Sequence, residues 1–360
     1  MFPRLPVCIL MSLPVLLVQG STAPASPPPH PPPPLGDPSW VIGLHLYQAL
    51  RSDSSSINTV FSPLLVASSQ GALGGGSAGT TSSQLQDLLK TPSPAKAGDR
   101  AEELLSGALK SFTEANGTSF HLHTSSALFS KQAPPASQAF VKESQQLRSW
   151  AKAGLGGLEG APLSAQIQAK AGVLILANTL RFRGLWEREF SEGSTDRRTF
   201  LGKKYTKVVV VHRAGTVWRY CTPGSMVLLL LTLELLSKWL EKTNVTSVSI
   251  SLPKVNLTTK LKLSALSLTD AWDQKVANSS GVSDKGKGKL HLGEVLHWAL
   301  LELAAQAGKR DTNLEENIEK PKLFNADHPF IIFVRDNATG ALLLMGALDH
   351  AEGEALHDEL

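Results

Sequence analysis

At 360 residues, with 42% apolar and 18% charged side chains, the chain has the composition of a globular protein with a sizeable core, as one large domain or two average ones. Its net charge of +4 is mildly basic, and no run of five Lys or Arg with interleaved aromatics occurs, which argues against a nucleic-acid partner. The two cysteines are Cys8, inside a leader-like stretch, and Cys221, so the processed chain has no partner for an intrachain disulfide.

Residues 1–20 have the pattern of a secretory signal peptide: Arg4, an apolar run from Leu5 to Val18, and Val18-Gln-Gly20 for cleavage. The run is too short and wrongly flanked for an anchor, so membrane insertion is not expected. Residues 21–38 form a Pro-rich extension unable to build helix or sheet. At the other end, residues 351–360 form a tail whose last four, His357, Asp358, Glu359 and Leu360, spell an endoplasmic-reticulum (ER) retrieval signal. Both ends together predict the ER lumen, with a retrieval receptor as one partner. Five glycosylation sequons begin at Asn116, Asn244, Asn256, Asn278 and Asn337.

Asp37-Pro38 caps and starts a helix that places Trp40, Leu44, Tyr47 and Leu50 on one face. A short strand then runs into Ser62-Pro63, a second cap-plus-proline start. The glycines from Gly71 to Gly79 lack the Gly-Lys-Ser/Thr of a phosphate loop. Thr80–Lys90 and Ala101–Thr113 are amphipathic. Phe120, Leu122 and Thr124 alternate as a strand with His121 and His123 on its other face, and no further ligand makes these two a metal site. Val173–Asn178 lacks a polar face and reads as a central strand covered on both sides. A long strand from Glu294 to Leu303 opens into a loop through Lys320. Phe330–Val334 and Ala341–Met345 form a buried hairpin whose turn closes on Gly340. No nucleophile–base pair, metal motif or cofactor loop is present, so no enzyme reading and no cofactor is expected.

Particular residues make the hairpin more than a generic one. Asn325-Ala-Asp-His-Pro-Phe330, Arg335-Asp-Asn-x-x-Gly340 and Met345-Gly346 closely resemble the C-terminal signature of serpins. Asn178-x-x-x-Phe182-x-Gly184-x-Trp186-x-x-x-Phe190 and Asn58-x-x-x-Ser62-Pro63 resemble two further landmarks of that family. The resemblance implies an α+β serpin fold over residues 39–350, with mixed sheets, surrounding helices and an exposed reactive-type loop. Segments near 146–150 and 217–245 look shorter than in the family. The shortening means either a fold trimmed with compensation or an incompletely assembled sequence.

Inhibitory serpins insert the cleaved reactive loop into a central sheet, which calls for small side chains at the hinge. Here Lys309, Arg310 and Asp311 stand at those positions, and burying such charges unpaired costs about 2.5 kcal/mol or more each. A non-inhibitory member is expected. The retrieval ending, Leu46-Tyr-Gln-Ala49 and Lys322-Leu-Phe-x-Ala-Asp-His-Pro-Phe330 resemble the collagen-binding, ER-resident chaperone branch of the family. That resemblance implies a collagen or procollagen triple helix as ligand, and a monomer is expected. Asp327 would pair with an arginine of a Gly-x-Arg triplet, with Leu323, Asp196, Arg198 and Ser251 as further contacts. Asn325 stands in place of a tyrosine and Leu201 in place of a methionine, which implies weaker binding. His212, His297 and His328 match histidines of that branch and are candidates for acid-driven release. The alternatives are an inhibitor of a serine protease of the secretory pathway, or a paralogue that has lost ligand binding.

Overall fold

The computed structural model describes residues 7–13, 38–52, 58–75, 77–89, 120–130, 157, 173–184, 195–202, 205–220, four positions between 233 and 238, 244–254, 256–262, 269–279, 290–302, 322–336 and 340–355. The amphipathic stretch 101–113, the loop with Lys309, Arg310 and Asp311, the sequons at Asn116 and Asn337, and His357–Leu360 lie outside these residues.

The core grows from the apolar hairpin. β11 (Phe330–Asp336) pairs antiparallel with β12 (Leu342–Leu348), every residue of which is buried. Gly340 sits at φ 79°, a left-handed conformation that glycine adopts without steric cost. Helix α1 (Pro38–Ser52) lies on this hairpin. Trp40, fully buried, donates its indole N–H to the Gly340 carbonyl at 2.8 Å, and its ring centroid is 5.9 Å from that of Phe333. The Ser39 hydroxyl accepts the Leu342 N–H at 2.9 Å. Proline opens α1 as the sequence predicts, but Pro38 to Leu44 are buried all round. The one-sided pattern returns only at exposed His45 and half-buried Tyr47 and Leu50.

Helix α2 (Pro63–Gly75) begins at the expected cap. The Ser62 hydroxyl accepts the Leu65 N–H at 3.2 Å and itself donates to the Leu343 carbonyl at 2.6 Å, so one side chain caps the helix and ties it to the hairpin. A Cβ on Gly43 would lie 2.9 Å from the Pro63 ring, so this glycine lets α1 and α2 cross closely. Helix α3 (Gly79–Leu89) follows, and the single turn α4 (Thr269–Trp272) joins it through the Gln84 side chain.

The first sheet has the order β1-β11-β12-β2, with β2 at Thr59–Phe61. Its outer strand β1 is Val7–Leu13, the apolar heart of the stretch read as a leader, running parallel to β11 from Val7–Phe330 to Leu13–Asp336. An apolar strand beside β11 satisfies a row of backbone groups that would otherwise need partners. The sheets also take in β13 (Glu354–Ala355) on β6 (Tyr205–Tyr220).

The second sheet has the order β10-β7-β6-β13, with β5 also on β6, where β5 is Thr195–Leu201, β7 is Asn244–Pro253 and β10 is Lys322–Asn325. The third has the order β3-β4-β9-β8, with β3 at Phe120–Ser130, β4 at Val173–Gly184, β8 at Asn256–Lys262 and β9 at His291–Glu302. Its centre is a parallel seam between β4 and β9, and Leu174–Leu180 are buried, as a strand covered on both faces requires. On β3, Leu122 is buried while His121 and His123 are exposed, as the alternation predicts. Thr124 is exposed as well, against the expectation.

Candidate ligand-binding site

Four strands of the second sheet carry the residues singled out from the sequence: β5 (Thr195–Leu201), β6 (Tyr205–Tyr220), β7 (Asn244–Pro253) and β10 (Lys322–Asn325). Backbone register supplies the convergence. His212 is opposite Ser251, and Ser251 is opposite Asn325, a row over three strands and about 10 Å. Leu323 lies two residues before Asn325, with 70% of its surface exposed. The chain leaving β10 is then pinned twice: Ala326 N–H donates to the Ser251 carbonyl at 2.9 Å, and Leu201 N–H donates to the Asp327 carbonyl at 2.7 Å. Residues far apart in sequence thus fix the backbone of Asp327.

The Asp327 side chain stays at the rim, 37% exposed, with Oδ1 2.5 Å from Nδ1 of half-buried His328. On β5, Arg198 donates through Nε to both carboxylate oxygens of Asp196, at 3.0 and 3.2 Å, in an exposed pair. The arrangement offers a carboxylate on a fixed backbone, an exposed leucine beside it and the exposed amide of Asn325. Such a surface can take a guanidinium by charge-assisted hydrogen bonds while covering an apolar stem. Among the described residues no group of three His, Cys, Asp or Glu could hold a metal ion, and no helix is long and apolar enough to cross a membrane.

His297 belongs elsewhere. It lies on β9 in the parallel seam, fully buried, and its Nε2 accepts the Ser62 N–H at 2.9 Å. Burial pushes its pKa down from 6.5 to about 3. Its ring therefore stays neutral in the folded protein across the mildly acidic range, which corrects its assignment to a ligand-release switch. Asn178, registered opposite it, accepts from the Ser126 hydroxyl at 2.8 Å and donates to the Ser69 hydroxyl at 3.0 Å. This polar cluster, buried at Asn178 and Ser69 and reaching the surface at Ser126, was not singled out from sequence. The signal was there: an Asn and a His in mid-strand among apolar neighbours, and a serine before the proline that starts α2.

The described sequons differ in their surroundings. Asn256 is exposed at the start of β8 and Asn244 opens β7. Asn278 is half-buried, with its backbone N–H on the Thr81 hydroxyl and its Oδ1 buried without a hydrogen-bond partner, a poor seat for a glycan.

Comparison with known proteins fixes the class. A model of the serpin family, described as serine protease inhibitor, matches residues 41–153 and 224–350, and the chain belongs to this family. Among its relatives is Serpin H1 of Mus musculus, 30% identical over 385 aligned residues, covering 91% of this chain and 90% of the relative. Serpin H1 of Gallus gallus is 28% identical and covers 91% of this chain and 93% of its own length. The crystal structure of uncleaved ovalbumin superposes with a TM-score of 0.76 at 17% identity, covering 88% of this chain and 99% of that one, which establishes the serpin fold.

Proposed function

We propose that this serpin is a non-inhibitory binding protein of the ER that acts as a chaperone for collagen-like triple helices. The observation that carries the reading is Asp327, a part-exposed carboxylate beside His328 on a doubly pinned backbone, with Leu323 open to solvent on the strand before it. A collagen triple helix keeps glycine at its axis and presents its other side chains outward. An arginine in a Gly-x-Arg triplet can then meet Asp327 while neighbouring apolar groups cover Leu323. The similarity to Serpin H1 supports the branch of the family, and the HDEL ending supports the compartment.

The test compares binding of the folded chain to triple-helical peptides with and without a Gly-x-Arg triplet. Arginine-dependent binding is expected. Equal binding by both peptides removes the reading. The inhibitor alternative is tested separately: a serine protease should cleave at Lys309-Arg310 and leave no SDS-resistant complex.

A further inference from the structure

On the first part of β6 the side chains alternate. Thr206, Val208 and Val210 are buried, while Tyr205, Lys207 and Val209 are exposed, so one face of this stretch is open to solvent. Directly opposed residues share a face, and the neighbouring strands extend this one. On β5, Leu201 is opposite Tyr205, Thr199 opposite Lys207 and Arg197 opposite Val209; on β13, Glu354 is opposite Lys207. Arg197 and Glu354 reach each other across β6 at 3.2 Å. Among the described residues four large apolar side chains are exposed. Three of them, Tyr205, Val209 and Leu323, belong to this sheet, and the fourth is Val276 in the turn after α4. Tyr205 is the aromatic one, with 47% of its surface exposed.

Tyr205 also stands close to the candidate site. Its partner Leu201 donates its N–H to the Asp327 carbonyl. Two strand-like steps of about 4.8 Å therefore separate the backbone of Tyr205 from that of Asp327, about 10 Å in all. A chain in the polyproline conformation rises about 3.1 Å per residue, so this distance corresponds to about three residues, one Gly-x-y triplet.

We propose that Tyr205 is a specificity-determining contact for the triple helix, its ring covering a proline about one triplet from the arginine that meets Asp327. The inference rests on the chaperone reading above and adds an apolar element of recognition to the ionic one. Proline rings face outward from a triple helix in a conformation fixed before binding, so an aromatic ring meets them with little loss of freedom. Aromatic side chains bind other Pro-rich extended chains for the same reason. Tyrosine suits the task because it brings a large rigid surface with few rotatable bonds.

The experiment measures binding of the full chain to two triple-helical peptides, both folded at the assay temperature and both carrying one Gly-x-Arg triplet. They differ in having proline or alanine in the triplets on either side of it. The proline peptide should bind about fivefold more tightly. Tyr205→Ala should remove that preference while keeping the dependence on arginine, at an unchanged thermal midpoint. Tyr205→Phe should retain the preference, because the ring and not the hydroxyl makes the contact. Val276→Ala, the exposed apolar position outside this sheet, should alter neither property. Arginine-dependent binding with no preference for proline overturns this inference alone, as does a preference that persists in Tyr205→Ala. Absence of binding to both peptides overturns the chaperone reading together with it.

Discussion

His297 and His328 show two uses of one side chain. His297 sits in the β4–β9 seam without exposed surface and accepts a backbone N–H from the cap of α2, in a cluster completed by Asn178, Ser69 and Ser126. His328 lies on the rim with 27% of its side chain exposed, against a carboxylate that solvent also reaches. In the seam, Asn178 bonds two serines and His297 holds the cap of α2, while Nδ1 of His297 is buried without a hydrogen-bond partner. At the rim, hydrogen bonds of the Ala326 and Leu201 backbone fix the chain, while the Asp327 carboxylate pairs with His328 and is reached by solvent. Stability and recognition are thereby separated: seam substitutions should move stability, and rim substitutions should move binding.

The largest effect expected is in the seam. Asn178→Leu removes the amide that donates to the buried Ser69 hydroxyl, along with its bond to exposed Ser126, and should cost about 2 kcal/mol in denaturant unfolding. Peptide affinity of the fraction still folded should be unchanged, and a parallel loss of affinity would break the separation.

Acid sharpens the same contrast. The folded-state pKa of His297 lies below its ordinary value, so the unfolded chain takes the proton first. Stability from this group is complete above 6.5 and falls as the pH drops below it, by about 2 kcal/mol on going from about pH 7 to about pH 5. In His297→Gln that slope should flatten. A slope of unchanged size in the variant would assign the acid sensitivity to other groups.

On the rim, Asn325→Tyr should tighten binding of an arginine-bearing triple-helical peptide by about 1–2 kcal/mol through added apolar contact, with thermal stability held. Equal affinities would remove Asn325 from the contact surface. The smallest effect is predicted for Arg198→Ala. Its pair with Asp196 is exposed on both sides, so unfolding should change by less than about 1 kcal/mol.

What could be read from the sequence follows from how local each signal is. The hairpin of β11 and β12, the capped starts of α1 and α2 and the fully apolar β4 rest on short-range patterns, and the sequence displays them openly. The pairing of Val7–Leu13 with β11 does not, because nothing local in a short apolar run encodes a parallel partner more than three hundred residues away. The site lies between these cases. Leu323, Asn325 and Asp327 are neighbours in the chain, but only sheet register brings Ser251 and Leu201 to them, so they were found through family resemblance. His297 was misassigned because one histidine in an apolar strand looks the same from sequence whether it is buried against a helix cap or open to solvent.

The central claim is that Asp327 meets an arginine of the ligand. A double-mutant cycle tests it most directly, pairing Asp327→Asn with a triple-helical peptide in which that arginine is replaced by glutamine. The predicted coupling between the two changes is about 1.5 kcal/mol or more. Changes that add to within about 0.3 kcal/mol would contradict the account, because the carboxylate and the guanidinium would then act without touching.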